Sequence, residues 1–247
     1  MIVRLLRKSR QKPAGRLPEG VRIYAIGDVH GRADLLDRLI SRIDAHVAAH
    51  PIERPILLFV GDYVDRGSGS RQVLDLLTAS AGAREMVFLR GNHEEFMVNF
   101  LTKPAMLRDW GKVGGFETLM SYGVTPVLNA DAGTQMELAK ALAAALPPEH
   151  RQFLQSLLPS FSCGGYYFAH AGVRPGVPLA AQRTEDLLWI RDEFLLHEEK
   201  FEKIIIHGHT PVPEIDVRPN RINIDTGAYI TGRLSCLVLE KDRFEPL

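Results

Sequence analysis

Short apolar runs that end at glycine recur along the chain, and polar residues follow each of them. The first three lie at Ile23 to Gly31, Ile56 to Gly67 and Val87 to Glu95, with the sequences IYAIGDVHG, ILLFVGDYVDRG and VFLRGNHEE. Each run predicts a buried strand, and its glycine predicts the turn that ends the strand. The pattern therefore places Asp, Asn and His side chains at three strand ends.

Helical spacing follows the first two of these strands. Apolar residues recur every third or fourth position in Arg32 to Ala49 and in Arg71 to Thr78, which is typical of helices with one buried face. The strands themselves are predicted at Val21 to Ile26, Ile56 to Val60 and Met86 to Leu89. Alternating strands and helices favour a mostly parallel sheet covered on both faces, with functional groups gathered at the carboxyl ends of its strands.

The second half of the chain changes character twice. From about 96 to 160 the pattern is helical, and we interpret it as a helical insertion that flanks the active cleft and shapes what enters; an inert excursion is the alternative. Strand patterns return at Gly165 to Ala169 and Lys203 to Ile206, which lead into HAG and HGHT. The last strands, Arg221 to Ile224 and Leu234 to Leu239, flank a long loop and predict an antiparallel hairpin.

Length sets the domain organisation that we expect. The 247 residues suffice for one large or two small domains, and we predict a single domain at 21–247. Residues 1–20 are rich in arginine and lysine but lack the apolar core of a secretory signal. We predict a flexible basic arm there, with a docking segment for an acidic partner as the alternative.

Charge and cysteine content exclude several classes of function. The 30 basic and 30 acidic residues balance, so the chain as a whole has no attraction to nucleic acid or anionic membrane. Cys163 and Cys236 fit neither a disulfide framework nor a CxxC zinc site, and we expect two buried thiols in a reducing compartment. No window approaches the roughly 18 apolar residues of a membrane span. These features predict a soluble cytoplasmic protein without nucleic-acid or membrane partners.

The polar residues at the strand ends form a set of metal-ligand types. Oxygen and nitrogen ligands without a thiolate suit Mn²⁺, Fe²⁺ or Zn²⁺. The set is too large for one ion, but two ions about 3.5–4 Å apart that share a carboxylate would use all of it. The alternative for each residue alone is a turn or helix-capping role. The members are Asp28, His30, Asp62, Asn92, His170 and His209.

The motifs GDVHG, GDYVDRG and RGNHE resemble, in order and spacing, those of the phosphoprotein phosphatase family within the dinuclear metallophosphoesterases. HAGV and GHT extend the resemblance through position 210, so that it covers roughly positions 21 to 230. The compact length and the HAG and GHT forms look like the bacterial and bacteriophage branch. The resemblance implies an α/β (α+β layered) fold: a calcineurin-like β-sandwich of mixed sheets flanked by helices, with a helical insertion.

The resemblance implies two divalent metal ions, with Mn²⁺ expected and Fe²⁺ or Zn²⁺ as alternatives. By this likeness Asp28 and His30 hold the first ion and Asp62 bridges both. The second ion is held by Asn92, His170 and His209. A carboxylate has the two oxygens that bridging requires, and a neutral imidazole offers one lone pair to an ion.

The family pattern also implies roles next to the metals. His93 is the general acid that protonates the leaving oxygen, and Asp65 orients it. Arg66 binds phosphate through its planar guanidinium, and Asn92 contacts the phosphate in addition to its metal. The second phosphate-binding arginine is Arg191.

Four further residues near these motifs have less specific interpretations. Arg174 is the alternative to Arg191 because it lies nearer to HAG in the sequence. We interpret His207 as a strand-end residue and Asp225 as the organiser of its turn. Tyr229 corresponds only loosely to a loop tyrosine of eukaryotic relatives.

The resemblance implies direct hydrolysis, in which a metal-bridging hydroxide attacks phosphorus and His93 protonates the leaving group. The leading function is a serine/threonine protein phosphatase acting on phosphorylated proteins or peptides, with small phosphoesters as further substrates. A symmetrical diadenosine tetraphosphate hydrolase is the alternative because such enzymes share the five motifs. A catalytically silent phosphate-binding module is disfavoured because every ligand position is filled.

Overall fold

Two stacked five-stranded sheets form the centre of the protein. The computed structural model describes residues 15–80 and 84–247. In chain order the strands are β1 (Val21–Ile26), β2 (Arg54–Phe59), β3 (Glu85–Phe88), β4 (Ser160–Cys163), β5 (Tyr166–Ala169), β6 (Ile204–His207), β7 (Asp216–Val217), β8 (Arg221–Asn223), β9 (Cys236–Glu240) and β10 (Arg243–Pro246).

Both sheets are mixed. The first has the order β10-β9-β1-β2-β3, with β1, β2 and β3 parallel and β9 and β10 added in antiparallel fashion. The second has the order β4-β5-β6-β8-β7, with β5, β6 and β8 parallel. The parallel strands are neighbours in each sheet, so their carboxyl ends meet at a shared edge of the sandwich.

Helices cover the outer faces of the sandwich. The α-helices in chain order are α1 (Ala33–Ala49), α2 (Ser70–Ala79), α3 (Asn92–Thr102), α4 (Leu107–Trp110), α5 (Gly115–Ser121), α6 (Ala132–Ala145), α7 (Pro148–Ser156), α8 (Thr184–Trp189), α9 (Asp192–Leu195) and α10 (Ala228–Thr231). None of the helices in the described ranges is long and apolar enough to cross a membrane.

The alternation along β1 explains the layering. Ile23 and Ala25 are buried with Phe168 of the second sheet, whereas Tyr24 and Ile26 are buried against α1 and α2. A third apolar cluster joins the other face of the second sheet to α8 and α9. Each fully buried aliphatic side chain contributes about 1.5–3 kcal/mol, so all three interfaces stabilise the fold.

This layering confirms the predicted sandwich of mixed sheets and corrects two strand-level predictions. The alternating strands and helices do not form one sheet with helices on both faces, because the inner face of each sheet packs against the other sheet. The predicted hairpin of the last strands is wrong: β8 pairs with β6 and β7, and β9 pairs with β1. Apolar periodicity locates a strand but does not name its partner.

The ends of the predicted segments also differ from the structure. Helical structure begins at Asn92 rather than 96, and the helical region ends at Ser156. Within the predicted basic arm, residues 1–14 lie outside the described ranges. Leu17 is buried, and its backbone N–H donates to the Lys241 carbonyl, so the segment from 15 to 20 packs on the core.

Cys236 is buried as predicted, whereas Cys163 on the edge strand β4 is only partly buried.

His207 at the end of β6 gives folding stability a defined pH dependence. Its ring is fully buried and packs edge-on against Phe194 with 4.9 Å between centroids, and burial lowers the pKa of His207 to about 3. The neutral ring must gain a proton on unfolding, so this stabilisation is complete above pH 6.5 and is lost as pH falls. Between about pH 6 and pH 4 we expect a loss of about 1.4 kcal/mol per pH unit.

The measurement is urea unfolding of metal-free protein at several pH values below neutrality. His207→Gln should make the free energy of unfolding less dependent on pH, by about one proton. Equal pH dependence in the two proteins would contradict a neutral buried His207.

Candidate dinuclear metal centre

Turns after five strands bring the predicted ligands to one edge of the sandwich. The strand ends of β1, β2, β3, β5 and β6 supply them in sequence order. The backbone dihedral φ is positive at many of these turns, a conformation that is unfavourable for residues with a Cβ. Among the non-glycine residues that the structure describes, this applies to His30, Asp62, Asp65, Arg66, Asn129, His209 and Lys241. Five of the seven therefore lie in the candidate site.

Three side chains from different strand ends converge on one point. Asn92 Oδ1 lies 2.9 Å from both His170 Nε2 and His209 Nδ1, and the two imidazole nitrogens are 3.1 Å apart. Asp62 Oδ1 lies 3.4 Å from His170 Nε2. Among residues 15–80 and 84–247, Asp62, His170 and His209 form one of two clusters whose ligand atoms all lie within 4.8 Å of one another. This cluster matches the residues predicted for the second ion.

The other oxygen of Asp62 faces the cluster that contains His30, which is predicted to hold the first ion; we call it the first cluster. Asp62 Oδ2 lies 3.5 Å from His30 Nε2 and 3.8 Å from His93 Nε2, and these three residues are the other cluster within 4.8 Å. Asp62 is therefore positioned between both clusters, as a bridging carboxylate requires. Asp28, predicted for the first ion, is not in this cluster; its Oδ2 accepts a hydrogen bond of 2.9 Å from the His209 backbone N–H.

Backbone carbonyls fix the orientation of two imidazoles. His30 Nδ1 lies 2.9 Å from the Val64 carbonyl oxygen, and His170 Nδ1 lies 3.0 Å from the Val60 carbonyl oxygen. A carbonyl only accepts hydrogen bonds, so Nδ1 of each ring carries the proton and the Nε2 lone pair faces the cluster. Burial lowers the pKa of His30 to about 3 and also lowers that of His170, which keeps both rings neutral.

The donor set fits divalent cations. Within the part of the chain that the structure describes, Asp28 Oδ1 and His209 Nε2 are buried without a hydrogen-bond partner, and an unpaired buried polar atom is costly. Burial raises the pKa of Asp28 well above its usual value, and the nearby charges of Asp225 and Asp62 raise it further. Cations among these carboxylates would remove that repulsion. When bound, two such ions supply Lewis acidity and an activated water molecule.

His93, a member of the first cluster, forms a buried pair with Asp65. His93 Nδ1 lies 2.7 Å from Asp65 Oδ2, so the imidazole donates to the carboxylate and its Nε2 points toward the site. Burial alone would lower the pKa of His93, but Asp62 and Asp65 outweigh burial and the pKa is raised. The pair can therefore hold a proton at Nε2, where a general acid needs it.

The helical insertion holds Asp65 in place. Trp110 Nε1 donates to Asp65 Oδ2 at 2.8 Å, and the Thr118 hydroxyl donates to Asp65 Oδ1 at 2.6 Å. The Asp65 backbone N–H donates to Ser70 Oγ and Thr118 Oγ1. The sequence patterns assign no role to Trp110 or Thr118. The only signal was an uncommon tryptophan before a glycine-rich turn, which does not identify a partner.

Among the arginines predicted to bind phosphate, Arg66 lies next to His93 in the candidate site. Its Nη2 is 3.5 Å from His93 Nε2, and its guanidinium stacks on the Tyr229 ring with 4.5 Å to the centroid and also donates to the Tyr229 hydroxyl. Arg191 donates to the hydroxyl of Thr210 at 3.3 Å, and Thr210 directly follows the predicted ligand His209. Arg174 pairs with Asp186 and Glu193 instead, which leaves Arg191 the better candidate.

The Asp225 carboxylate has the predicted turn contact in a buried setting. Its Oδ1 accepts a 2.9 Å hydrogen bond from the Gly227 backbone N–H, as a turn organiser would. Asp225 is only 1% exposed, and burial raises its pKa to about 6. Its charge also acts on Asp28, so this turn borders the first cluster.

Glu94 connects the turns after β2 and β3. Its Oε2 accepts from the backbone N–H groups of Asp62 (3.0 Å) and Gly91 (2.9 Å), and its Oε1 accepts from Tyr63 (2.8 Å) and Val64 (3.3 Å). The carboxylate is 1% exposed. Four N–H donors on two oxygens fix the position of Asp62 relative to Gly91, the residue before Asn92.

We expect Glu94→Gln to destabilise the metal-free protein by about 3 kcal/mol. The amide would place an NH₂ group against backbone N–H donors and leave them unpaired in the interior. Urea unfolding measures the effect. Glu95→Gln is the matched control, since the Glu95 carboxylate accepts from the side chains of Asn99 at 3.1 Å and Arg90 at 3.5 Å rather than from backbone N–H groups. A similar loss in both variants would contradict the bracing role.

Comparisons with known proteins agree with this geometry. A family model for calcineurin-like phosphoesterases matches residues 21–237. The chain is 27% identical over 236 residues to the asymmetrical bis(5'-nucleosyl)-tetraphosphatase PrpE of Anoxybacillus flavithermus, covering 86% of this chain and 88% of that protein. It is 26% identical over 222 residues to serine/threonine-protein phosphatase 2 of Salmonella typhimurium, covering 86% and 90%.

A solved structure shows the same fold. The crystal structure of a putative diadenosine tetraphosphatase superimposes with a TM-score of 0.63 at 18% sequence identity, covering 96% of this chain and 98% of that one. The predicted resemblance to metallophosphoesterases is thus confirmed, and the family fold implies a dinuclear divalent metal site. Because the family model matches most of the chain, from residue 21 to residue 237, the chain belongs to the calcineurin-like phosphoesterase family.

Proposed function

We propose that this phosphoesterase is a metal-dependent phosphatase that removes phosphate from serine and threonine residues of proteins. The observation that carries the proposal is the His93–Asp65 pair, 2.7 Å apart and fixed by Trp110 and Thr118. Seryl and threonyl alkoxides are strongly basic leaving groups, so they need a proton as the bond to phosphorus breaks. Diphosphate and triphosphate leaving groups are weak bases and need it less.

The metal-binding roles that we propose combine the family pattern with the positions of the side chains. Asp28 and His30 hold one ion, Asp62 holds both, and Asn92, His170 and His209 hold the other. We expect Mn²⁺, with Fe²⁺ or Zn²⁺ as alternatives, because the donors are oxygen and imidazole nitrogen.

The side chains beside the metals act on the substrate. Arg66 and Arg191 bind the phosphate oxygens and neutralise charge that develops on them, and Asn92 contributes its amide. His93 donates the proton at Nε2 to the leaving oxygen, while Asp65 keeps the ring in the tautomer that carries a proton at Nδ1.

Hydrolysis of a dinucleoside tetraphosphate is the second candidate. PrpE of Anoxybacillus flavithermus carries this activity in its name and aligns over 86% of the chain, as does serine/threonine-protein phosphatase 2 of Salmonella typhimurium. The relative's name states asymmetrical cleavage, whereas our sequence-based alternative is symmetrical. Product analysis separates the two, since symmetrical cleavage gives two diphosphates and asymmetrical cleavage gives a mono- and a triphosphate.

The deciding experiment compares kcat/KM for a phosphoserine peptide and for diadenosine tetraphosphate under the same conditions with Mn²⁺. We expect the peptide to be preferred. Preference for the dinucleotide would replace the first proposal with the second. We also propose a cytoplasmic location, which fits the free thiols of Cys163 and Cys236. The partner that we propose is a phosphorylated protein, the substrate itself.

A further inference from the structure

A groove leads from the phosphate-binding arginine into the helical insertion. Its inner part is a cavity of about 490 Å³ lined by Arg66, Lys112, Val113, Phe116 and Tyr229, among others. Since Arg66 contacts both Tyr229 and His93, this cavity opens at the place where a phosphate would be bound. Whatever fills it must be the part of the substrate attached to that phosphate.

A second cavity continues the groove outward. It measures about 610 Å³ and shares Gly111, Lys112 and Phe116 with the inner one. Its outer wall contains Val127 and Leu128, whose exposed fractions are 45% and 74%. Adjacent exposed apolar residues on a soluble protein mark a place where a partner binds.

The charges of the groove decide between two kinds of occupant. In the inner cavity Lys112 pairs with Asp109 at 2.8 Å, and Glu117 adds a negative charge. Beyond Arg66 the inner cavity therefore has no excess positive charge to bind the remaining phosphates of a polyphosphate chain. In the outer cavity Arg108 lies beside the apolar wall. An apolar side chain followed by an acidic one matches this arrangement.

We propose that this groove binds the peptide segment next to the phosphorylated residue and selects a substrate with an apolar side chain there, near an acidic residue that pairs with Arg108. The apolar side chain lies between Phe116 and Leu128, where burial of its surface favours binding. The inference rests on the proposed protein phosphatase function and names the substrate class of that site.

The test moves a leucine one position at a time along a phosphoserine peptide otherwise made of glycine and serine. We expect one position to raise kcat/KM about tenfold, mainly through KM, as burial of a leucine side chain allows. Leu128→Ser should remove most of that preference. Leu196→Ser is the matched control, because Leu196 is similarly exposed at 77% on another part of the surface and should keep it.

An aspartate scan on the best leucine peptide then tests the charged end of the groove. One aspartate position should raise kcat/KM further in the wild type but not in Arg108→Gln.

A flat leucine scan, or a preference unchanged in Leu128→Ser, would overturn the groove assignment while leaving the phosphatase proposal intact. If no phosphopeptide is hydrolysed while p-nitrophenyl phosphate is, the phosphatase proposal itself fails. A higher KM for diadenosine tetraphosphate in Leu128→Ser would assign the groove to the dinucleotide instead.

Discussion

His93→Asn is expected to reduce kcat for a phosphoserine peptide by roughly 10²- to 10⁴-fold while leaving the metal content unchanged. His93 lies within hydrogen-bond distance of Asp65 and faces the site through Nε2, and asparagine offers no proton of suitable pKa. Its backbone N–H contact with Asp62 Oδ1, at 3.2 Å, remains in the variant. The loss is therefore a loss of proton donation and not of the metal centre.

The dependence on the leaving group separates this role from a supporting one. With p-nitrophenyl phosphate, whose leaving group is a weak base, His93→Asn should lose much less activity than with the peptide. Asp65→Asn should also lose more activity with the peptide than with p-nitrophenyl phosphate. Its amide either places an NH₂ group against His93 Nδ1 or offers that nitrogen only an uncharged oxygen. Equal losses on both substrates would show that His93 only supports the site.

Asp62→Asn is expected to abolish binding of at least one metal ion and to reduce turnover by more than about 10³-fold. The two oxygens of Asp62 face different clusters, at 3.4 Å from His170 Nε2 and 3.5 Å from His30 Nε2. Replacing one oxygen by an NH₂ group removes both the charge and one ligand atom. Elemental analysis of protein equilibrated with Mn²⁺ measures the metal content.

Asp225→Asn is the matched control for this substitution. Asp225 is as deeply buried as Asp62, at 1% and 2% exposure, and asparagine keeps the oxygen that accepts from Gly227. We expect Asp225→Asn to retain two ions. Full metal occupancy in Asp62→Asn would rule out the bridging role, and loss of metal in Asp225→Asn would mean that this turn supplies a ligand.

The ligand-bearing turns were predictable because their signals are local. An apolar run, a glycine and a polar residue stand within a few positions, and parallel strands bring such turns to one edge. The partners of the strands were not predictable in the same way. The runs from Arg221 to Ile224 and from Leu234 to Leu239 look alike in the sequence, yet β8 and β9 belong to different sheets.

The contacts of Asp65 show the same limit inside the site. Trp110 and Thr118 lie 45 and 53 positions after Asp65, and apolar periodicity indicates that a helical residue is buried but not what its polar atom contacts. The orientation of Asp28 could not be foreseen either. Its carboxylate accepts from the His209 backbone across 181 positions, and only the packing of the two sheets brings those turns together.

The hydrogen bonds from Trp110 and Thr118 to Asp65 limit how this enzyme can be re-engineered. Substrate preference can be transferred between related enzymes by exchanging a segment that lies beside the active cleft. Here the carbonyl of Gly114, at φ 107°, also accepts from the Arg66 N–H at 3.3 Å, so the same segment contacts both Asp65 and the proposed phosphate-binding residue Arg66. A chimera that carries a foreign segment without an equivalent indole, hydroxyl and glycine would leave Asp65 without two of its hydrogen bonds, and the proposed proton donor His93 would lose its fixed orientation.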